Sequence, residues 1–175
     1  MDTEIKKITD TPENVQKLHK MIVDTFWDTY RGSSADQNIA DYLQDSYSSE
    51  QIATQLQQSN CAFYFIMKDG KVVGYMKLNF ADAQTEAYNG DSVEIEKLYV
   101  LPSFKRQGLG RKLLEFAETT ANQDHAEYLW LGVWCDNDKA LAFYHEIGFK
   151  QTTTHTFDLG NDPQTDLVMV KKLQK

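Results

Sequence analysis

The stretch from Val93 to Leu114, V-E-I-E-K-L-Y-V-L-P-S-F-K-R-Q-G-L-G-R-K-L-L, limits the folds open to this chain more than any other. It reads as a strand, a basic turn with two glycines and the first turns of a helix. Tyr128 to Trp134 follows as an unbroken apolar run, the pattern of a strand buried on both faces. Strand, helical crossover and strand together predict a right-handed unit whose two strands lie parallel at the centre of a sheet.

The first of these strands breaks its own rhythm. Val93 and Ile95 are apolar in one phase, Leu98 and Val100 in the other, so the alternation flips near Glu96-Lys97. One inserted residue, a β-bulge, produces that slip, and it would leave backbone groups unpaired with the next strand. A strand buried on both faces tolerates the same residues; the glycine turn just downstream favours the bulge. Between Ser103 and Lys112 lie four bases (Lys105, Arg106, Arg111, Lys112) and no acid, in a chain of net charge -8. Gly108 and Gly110 clear side chains from a helix start, where free N–H groups and the helix dipole suit a phosphate. A basic turn is also commonly no more than solvated charge, and neither a Walker loop nor a full dinucleotide fingerprint is present.

Elsewhere the pattern is plainer. Glu4 to Ile8 reads as a strand, and Thr11-Pro12 as the cap and first position of a helix that buries Val15, Leu18, Ile22 and Phe26. The end of that helix, with Asp24, Trp27, Asp28 and Tyr30, reads from periodicity as a solvated face. Ile39, Tyr42 and Leu43 suggest a short helix, and Ser48 with Gln51 a capping box opening another. Residues 61–67 and 72–80 form a hairpin about Asp69-Gly70, and 81–91 reads as a loop. The helix after the glycine turn should bury Leu109, Leu113, Phe116, Ala117 and Thr120. Asp136 or Asn137 caps the next, which ends at Gly148, and a last pair of strands follows.

With 175 residues and 41% hydrophobic content, the expectation is one domain, 1–175. No membrane span is visible and the start M-D-T-E-I-K-K lacks a signal peptide's regions, so a cytoplasmic protein is expected. Cys61 and Cys135 read as free thiols, and the four scattered histidines predict no metal site. An acidic balance argues against nucleic acid as a partner and is permissive for a cationic small molecule.

K-R-Q-G-L-G (105–110) and N-D-K-A-L-A-F-Y-H-E-I-G-F (Asn137 to Phe149), in this order and spacing, resemble the two coenzyme A motifs of the GCN5-related N-acetyltransferase superfamily. Lys105 stands where that pattern usually has Gln or Arg, keeping the charge but losing a planar donor. T-F-W-D-T (25–29), D-A-Q (82–84), W-L-G-V-W (130–134) and Q-T-D-L (164–167) resemble the bacterial PaiA-type spermidine/spermine N-acetyltransferases over nearly the whole chain. The resemblance implies a mixed α/β fold: a mostly antiparallel sheet with a parallel, splayed central strand pair and flanking helices. It implies acetyl-CoA as co-substrate, a polyamine amine as acceptor, no membrane or nucleic-acid partner, and is compatible with a homodimer.

It also implies roles. The N–H of Leu98 would polarise the acetyl carbonyl, and the backbone of Leu98, Tyr99 and Val100 would pair with the pantetheine arm. The pyrophosphate would sit on the amides of Gln107, Gly108, Leu109, Gly110 and Arg111, with Lys105, Arg106, Arg111 or Lys112 supplying charge. Asn137 and Lys139 would complete the cofactor site. An alkylammonium with a pKa of ~10.4 is neutral in only about one part in a few thousand at pH 7, a handicap of roughly 4 to 5 kcal/mol. Glu94, or Glu96 through water, would take that proton, unless each is an ordinary strand carboxylate. Tyr144 would protonate the leaving thiolate, although Ala140, Tyr144 and Ile147 also share a helical face suited to a core. Trp27, Asp28 and Tyr30 would meet the acceptor through charge and cation–π contact. The alternatives are acetylation of protein N-termini, lysines or other small amines, and an acetyl-CoA-binding regulator without catalysis.

Overall fold

The computed structural model describes residues 2–88 and 90–174. The order of elements is β1 (Thr3–Lys7), α1 (Pro12–Tyr30), α2 (Asp36–Ser46), α3 (Ser49–Leu56), β2 (Cys61–Lys68), β3 (Lys71–Phe80), β4 (Ser92–Val100), α4 (Leu109–Gln123), β5 (Tyr128–Trp134), α5 (Asp138–Ile147), β6 (Lys150–Leu159) and β7 (Asp162–Lys172). The strands form one seven-stranded sheet in the order β1-β2-β3-β4-β5-β7-β6. Every pairing is antiparallel except β4 with β5, the pair joined through α4.

Local chemistry explains the helix ends. Thr11 accepts a bond from the Asn14 N–H ahead of Pro12. Ser48 and Gln51 form a reciprocal capping box, a feature worth about 1 kcal/mol. Asn137, rather than Asp136, caps α5 through Ala140 N–H at 3.2 Å. Gly148 ends α5 at φ 103°, a left-handed conformation that a side chain would resist. The apolar stripe of α4 is turned slightly from the expected one: Leu109, Leu113, Leu114, Ala117 and Ala121 are buried, while Phe116 and Thr120 are half-buried. Cys61 and Cys135 are free thiols.

Helices α1, α2 and α3 cover one face of the sheet, packing on Phe63, Phe65 and Tyr75. Helices α4 and α5 cover the other, on Tyr64, Met76, Ile95 and Leu131. The bulge lies where the phase flips. Lys77 of β3 is opposite Lys97 and Leu78 is opposite Ile95, so Glu96 is the extra residue. Glu94, Glu96, Lys97 and Tyr99 consequently turn toward α1–α3, while Leu98 and Val100 pack on the α4–α5 side.

Beyond the bulge the sheet divides. Among the described residues the parallel ladder joins only Ser92, Val93 and Glu94 to Tyr128, Leu129 and Trp130, after which β4 and β5 have no mutual pairing. The β5-facing edge of β4 and the β4-facing edge of β5 therefore border a gap that opens from Glu94 onward.

Candidate active site

A cavity of about 680 Å³ occupies this gap and reaches both faces of the sheet. On the α4–α5 side it is bordered by Leu98, Val100, Gly108, Gly110, Asn137 and Tyr144. On the α1–α3 side it is bordered by Glu94, Glu96, Tyr30, Trp134, His155 and Asp166. Leu109, Arg106, Arg111, Lys105, Tyr99, Lys139 and Asp28 also line it, so most of the residues the sequence nominates meet in one space.

The glycine turn opens α4 with a free helix start. Gly108 has φ 77° at the cap of α4, and nothing would obstruct a Cβ there, so conformation alone demands glycine. The first bond of the helix is Lys112 N–H to Gly108 O at 3.1 Å, which leaves the N–H groups of Leu109, Gly110 and Arg111 without intrahelical acceptors. Arg106 is itself left-handed at φ 63°, a strain of about 1 kcal/mol in a residue that faces the cavity.

The basic cluster is used differently from the expectation. Lys105 pairs with Asp28 at 2.8 Å, uniting a residue expected at the cofactor with one expected at the acceptor. Arg111 pairs with Glu146 at 2.7 Å. Arg106 and Lys139 line the cavity with no ion-pair partner among the described residues. Gln107 and Lys112 do not line it: the Gln107 side chain bonds Lys68 and the Ser103 carbonyl, and Lys112 lies on the exposed flank of α4. Trp27 is likewise absent from the wall. It is half-buried against the apolar cluster of α1–α3, with the Arg31 guanidinium 5.6 Å from its ring centre.

Glu94 is 3% exposed and held by three donors. Thr85 gives its N–H to Oε2 at 2.7 Å and its hydroxyl to Oε1 at 2.6 Å, and Asn79 Nδ2 reaches Oε2 at 3.0 Å. Burial pushes the Glu94 carboxyl up, against the pull of those bonds, and neighbouring Glu96 adds to the rise. The same Asn79 amide donates to Glu96 at 2.7 Å, and Glu96 is paired with Lys77. For Glu96 burial is again the largest influence and raises it, but Lys97, Lys77 and the Asn79 bond together outweigh burial and hold it below the ordinary range. Two neighbouring carboxyls thus have opposite tendencies, the arrangement that separates a proton acceptor from a fixed charge.

Tyr144 is 7% exposed, edge-on to Phe149 and tilted against Phe143, yet it borders the cavity. Burial pushes its phenol up, so it stays protonated at neutral pH. It is therefore both the core tyrosine that periodicity suggests and a cavity residue. Tyr30, which periodicity placed in solvent, is 6% exposed because the last turn of α1 meets Trp134 and Phe157, with ring centres 5.1 and 5.8 Å away.

Sequence reasoning missed Thr85, Asn79, Lys77, Lys97, Glu86, His155 and Asp166. Asp166 and Trp134 lie inside short motifs singled out by resemblance, Q-T-D-L and W-L-G-V-W, which was the only signal available for them.

A parallel pair splayed after a bulge, a glycine-marked helix start on one side and a tyrosine on the following βα unit define the fold and cleft of an N-acetyltransferase. The chain belongs to the acetyltransferase (GNAT) family, whose profile matches residues 20–149; enzymes of this family take the acetyl group from acetyl-CoA. It is 33% identical over 171 residues, 98% of this chain and 99% of the relative, to an uncharacterized N-acetyltransferase of Lactobacillus delbrueckii subsp. lactis. It is 24% identical over 178 residues, 99% of each chain, to the spermidine N(1)-acetyltransferase of Thermoplasma acidophilum. Among solved structures, the PaiA N-acetyltransferase of Thermoplasma acidophilum, in complex with coenzyme A, superposes with a TM-score of 0.79 at 23% identity, covering 98% of this chain and 99% of that one.

Proposed function

We propose that residues 1–175 act as one catalytic unit that transfers an acetyl group from acetyl-CoA to a primary amine of a polyamine such as spermidine or spermine, by direct attack in a ternary complex. The observation that carries this reading is a single cavity through the sheet with unlike ends. Main-chain donors, free cations and a phenol border one side; carboxylates and aromatic rings border the other. The relative named for spermidine acetylation supports the acceptor class.

The donor fits the first side. Acetyl-CoA supplies a thioester carbonyl open to attack. The N–H groups of Leu109, Gly110 and Arg111 suit its pyrophosphate, with Arg106 and Lys139 as unpaired charges; the free edge of β4 from Leu98 to Val100 suits the pantetheine arm. Asn137 spends its side-chain oxygen on capping α5, which leaves its amide for a ligand.

On the other side Glu94 takes the proton that the attacking ammonium must shed, directly or through water, and Glu96 remains an ionised anchor. The Tyr144 hydroxyl gives its proton to the departing sulfur. The amine nitrogen gains the acetyl group and sheds its second proton to solvent, the thiol leaves neutral, and the proton on Glu94 passes back to Tyr144 through solvent. Asp28 and Tyr30 contribute to the acceptor wall; Trp27 does not reach it.

The test is thiol release from acetyl-CoA with spermidine, spermine, a peptide with a free N-terminus and an arylalkylamine in parallel. Fastest turnover with the polyamines is expected. Release with the peptide alone would replace the polyamine reading by protein acetylation, and binding of acetyl-CoA without release for any amine would replace it by a regulatory role.

A further inference from the structure

Three side chains outside this mechanism stand in a row across β5, β7 and β6: Trp134 is opposite Asp166, and Asp166 is opposite His155. His155 Nε2 and Asp166 Oδ2 are 3.1 Å apart. On the other side of the ring, Glu86 from the β3–β4 loop brings Oε1 to 2.7 Å from Nδ1, without the alignment of a hydrogen bond. Asp166 Oδ1 is buried with no hydrogen-bond partner among the described residues.

The backbone makes room for this group. A Cβ on Gly132 of β5 would lie 2.9 Å from His155 Cε1 and 3.2 Å from Asp166 Oδ2, so the imidazole–carboxylate pair rests where only glycine admits it. Gly132 is two residues beyond Trp130, the partner of Glu94 in the parallel ladder. Paired-strand spacing and rise would set it roughly 8 Å from Glu94, and the splay beyond Trp130 only widens that, along the same cavity.

One imidazole carries at most one positive charge between two carboxylates, and Lys97 acts on Asp166 through space without forming an ion pair with it or with Glu86 among the described residues, so the cluster keeps acceptor capacity for a further cation. Tyr30, Trp134 and Phe157 border it and suit the methylenes and charge of an alkylammonium. Burial pushes the Asp166 carboxyl up and neighbouring Glu86 adds to the rise, against the opposing effects of His155 and Lys97.

We infer that Asp166 and Glu86 form a subsite for a second ammonium group of the acceptor, with His155 as the positioning residue that holds Asp166 toward the cavity. This rests on the amine reading above and adds to it the residues that select a polycation over a monoamine.

The experiment compares kcat/KM for spermidine and for n-butylamine at saturating acetyl-CoA, in the full-length protein and in Asp166→Asn and Glu86→Gln. Glu86 is on a loop with a side chain 42% exposed, so its variant keeps the fold even if Asp166→Asn does not. Asp166→Asn is expected to lower kcat/KM for spermidine roughly 10- to 100-fold, mainly through KM, the range for a lost charge-assisted contact. Glu86→Gln should act in the same direction and less. The loss for n-butylamine, which has no second cation, should be at least tenfold smaller. Equal losses for both amines, or a lowered melting temperature with the preference for spermidine retained, would overturn the subsite and leave a structural tie between loop and sheet. Turnover of neither amine by the unaltered protein would overturn the amine reading itself.

Discussion

Replacing Tyr144 by phenylalanine separates its two roles, because packing and proton donation reside in different atoms. The ring is in contact with Phe143 and Phe149, with centres 5.3 and 5.7 Å away, whereas the hydroxyl makes no side-chain hydrogen bond among the described residues. Tyr144→Phe should therefore alter stability by no more than about 0.5 kcal/mol, or about 2 °C in a chain of this size. The lost proton donor should lower kcat about 10- to 1000-fold, equivalent to roughly 1.4 to 4 kcal/mol in the barrier. Affinity for acetyl-CoA should be nearly kept. Tyr144→Ala removes the ring as well and should cost about 3 to 5 kcal/mol, some 6 to 20 °C. The assays are steady-state thiol release, calorimetric binding of acetyl-CoA and thermal melting of all three proteins. Because burial raises the phenol, no activity change assignable to Tyr144 should appear at or below neutral pH. An undiminished kcat in Tyr144→Phe would remove the phenol from the chemistry, and a large drop in melting temperature would show that the hydroxyl has a packing partner.

The pH profile distinguishes the two carboxylates. A raised Glu94 stays protonated, and so inactive as a base, to higher pH than free glutamate; the acidic limb of kcat/KM should then have an apparent pKa above ~4.3 and vanish from the residual activity of Glu94→Gln. A limb below ~4.3 would transfer the role to Glu96, whose carboxyl is held low. Gly74→Ala tests the support behind β4: a Cβ there would lie 2.5 Å from the Tyr99 carbonyl oxygen and 3.2 Å from Val100 Cα, so a loss of roughly 1 to 3 kcal/mol is expected in urea unfolding, with an unchanged midpoint as the contrary result.

Much of the donor half of the site is legible in the sequence because it is local. The phase slip at Glu96-Lys97, the left-handed Gly108 and the Asn137 cap are each determined within a few residues, and the structure has all three. The half proposed for the acceptor is not local. Glu86, Trp134, His155 and Asp166 come together only because β7 inserts between β5 and β6 and the loop after β3 folds over Glu94. Tyr30 shows the same limit. Helical periodicity describes how α1 lies on the sheet, but its final turn is buried by aromatic residues more than a hundred positions later. Lys77 could not be paired with Glu96 from spacing, since the bulge sets Glu96 and Lys97 on one face and leaves the partner of Glu96 to the neighbouring strand.

Three rungs of parallel ladder are all that zip β1–β4 to β5–β7 along the strands. The sheet thus resembles two leaves of a book joined by a short spine, and the proposed reactants would lie between the pages. A molecule that bonds to both open margins would stitch the leaves together, so occupancy and mechanical cohesion rise at the same seam.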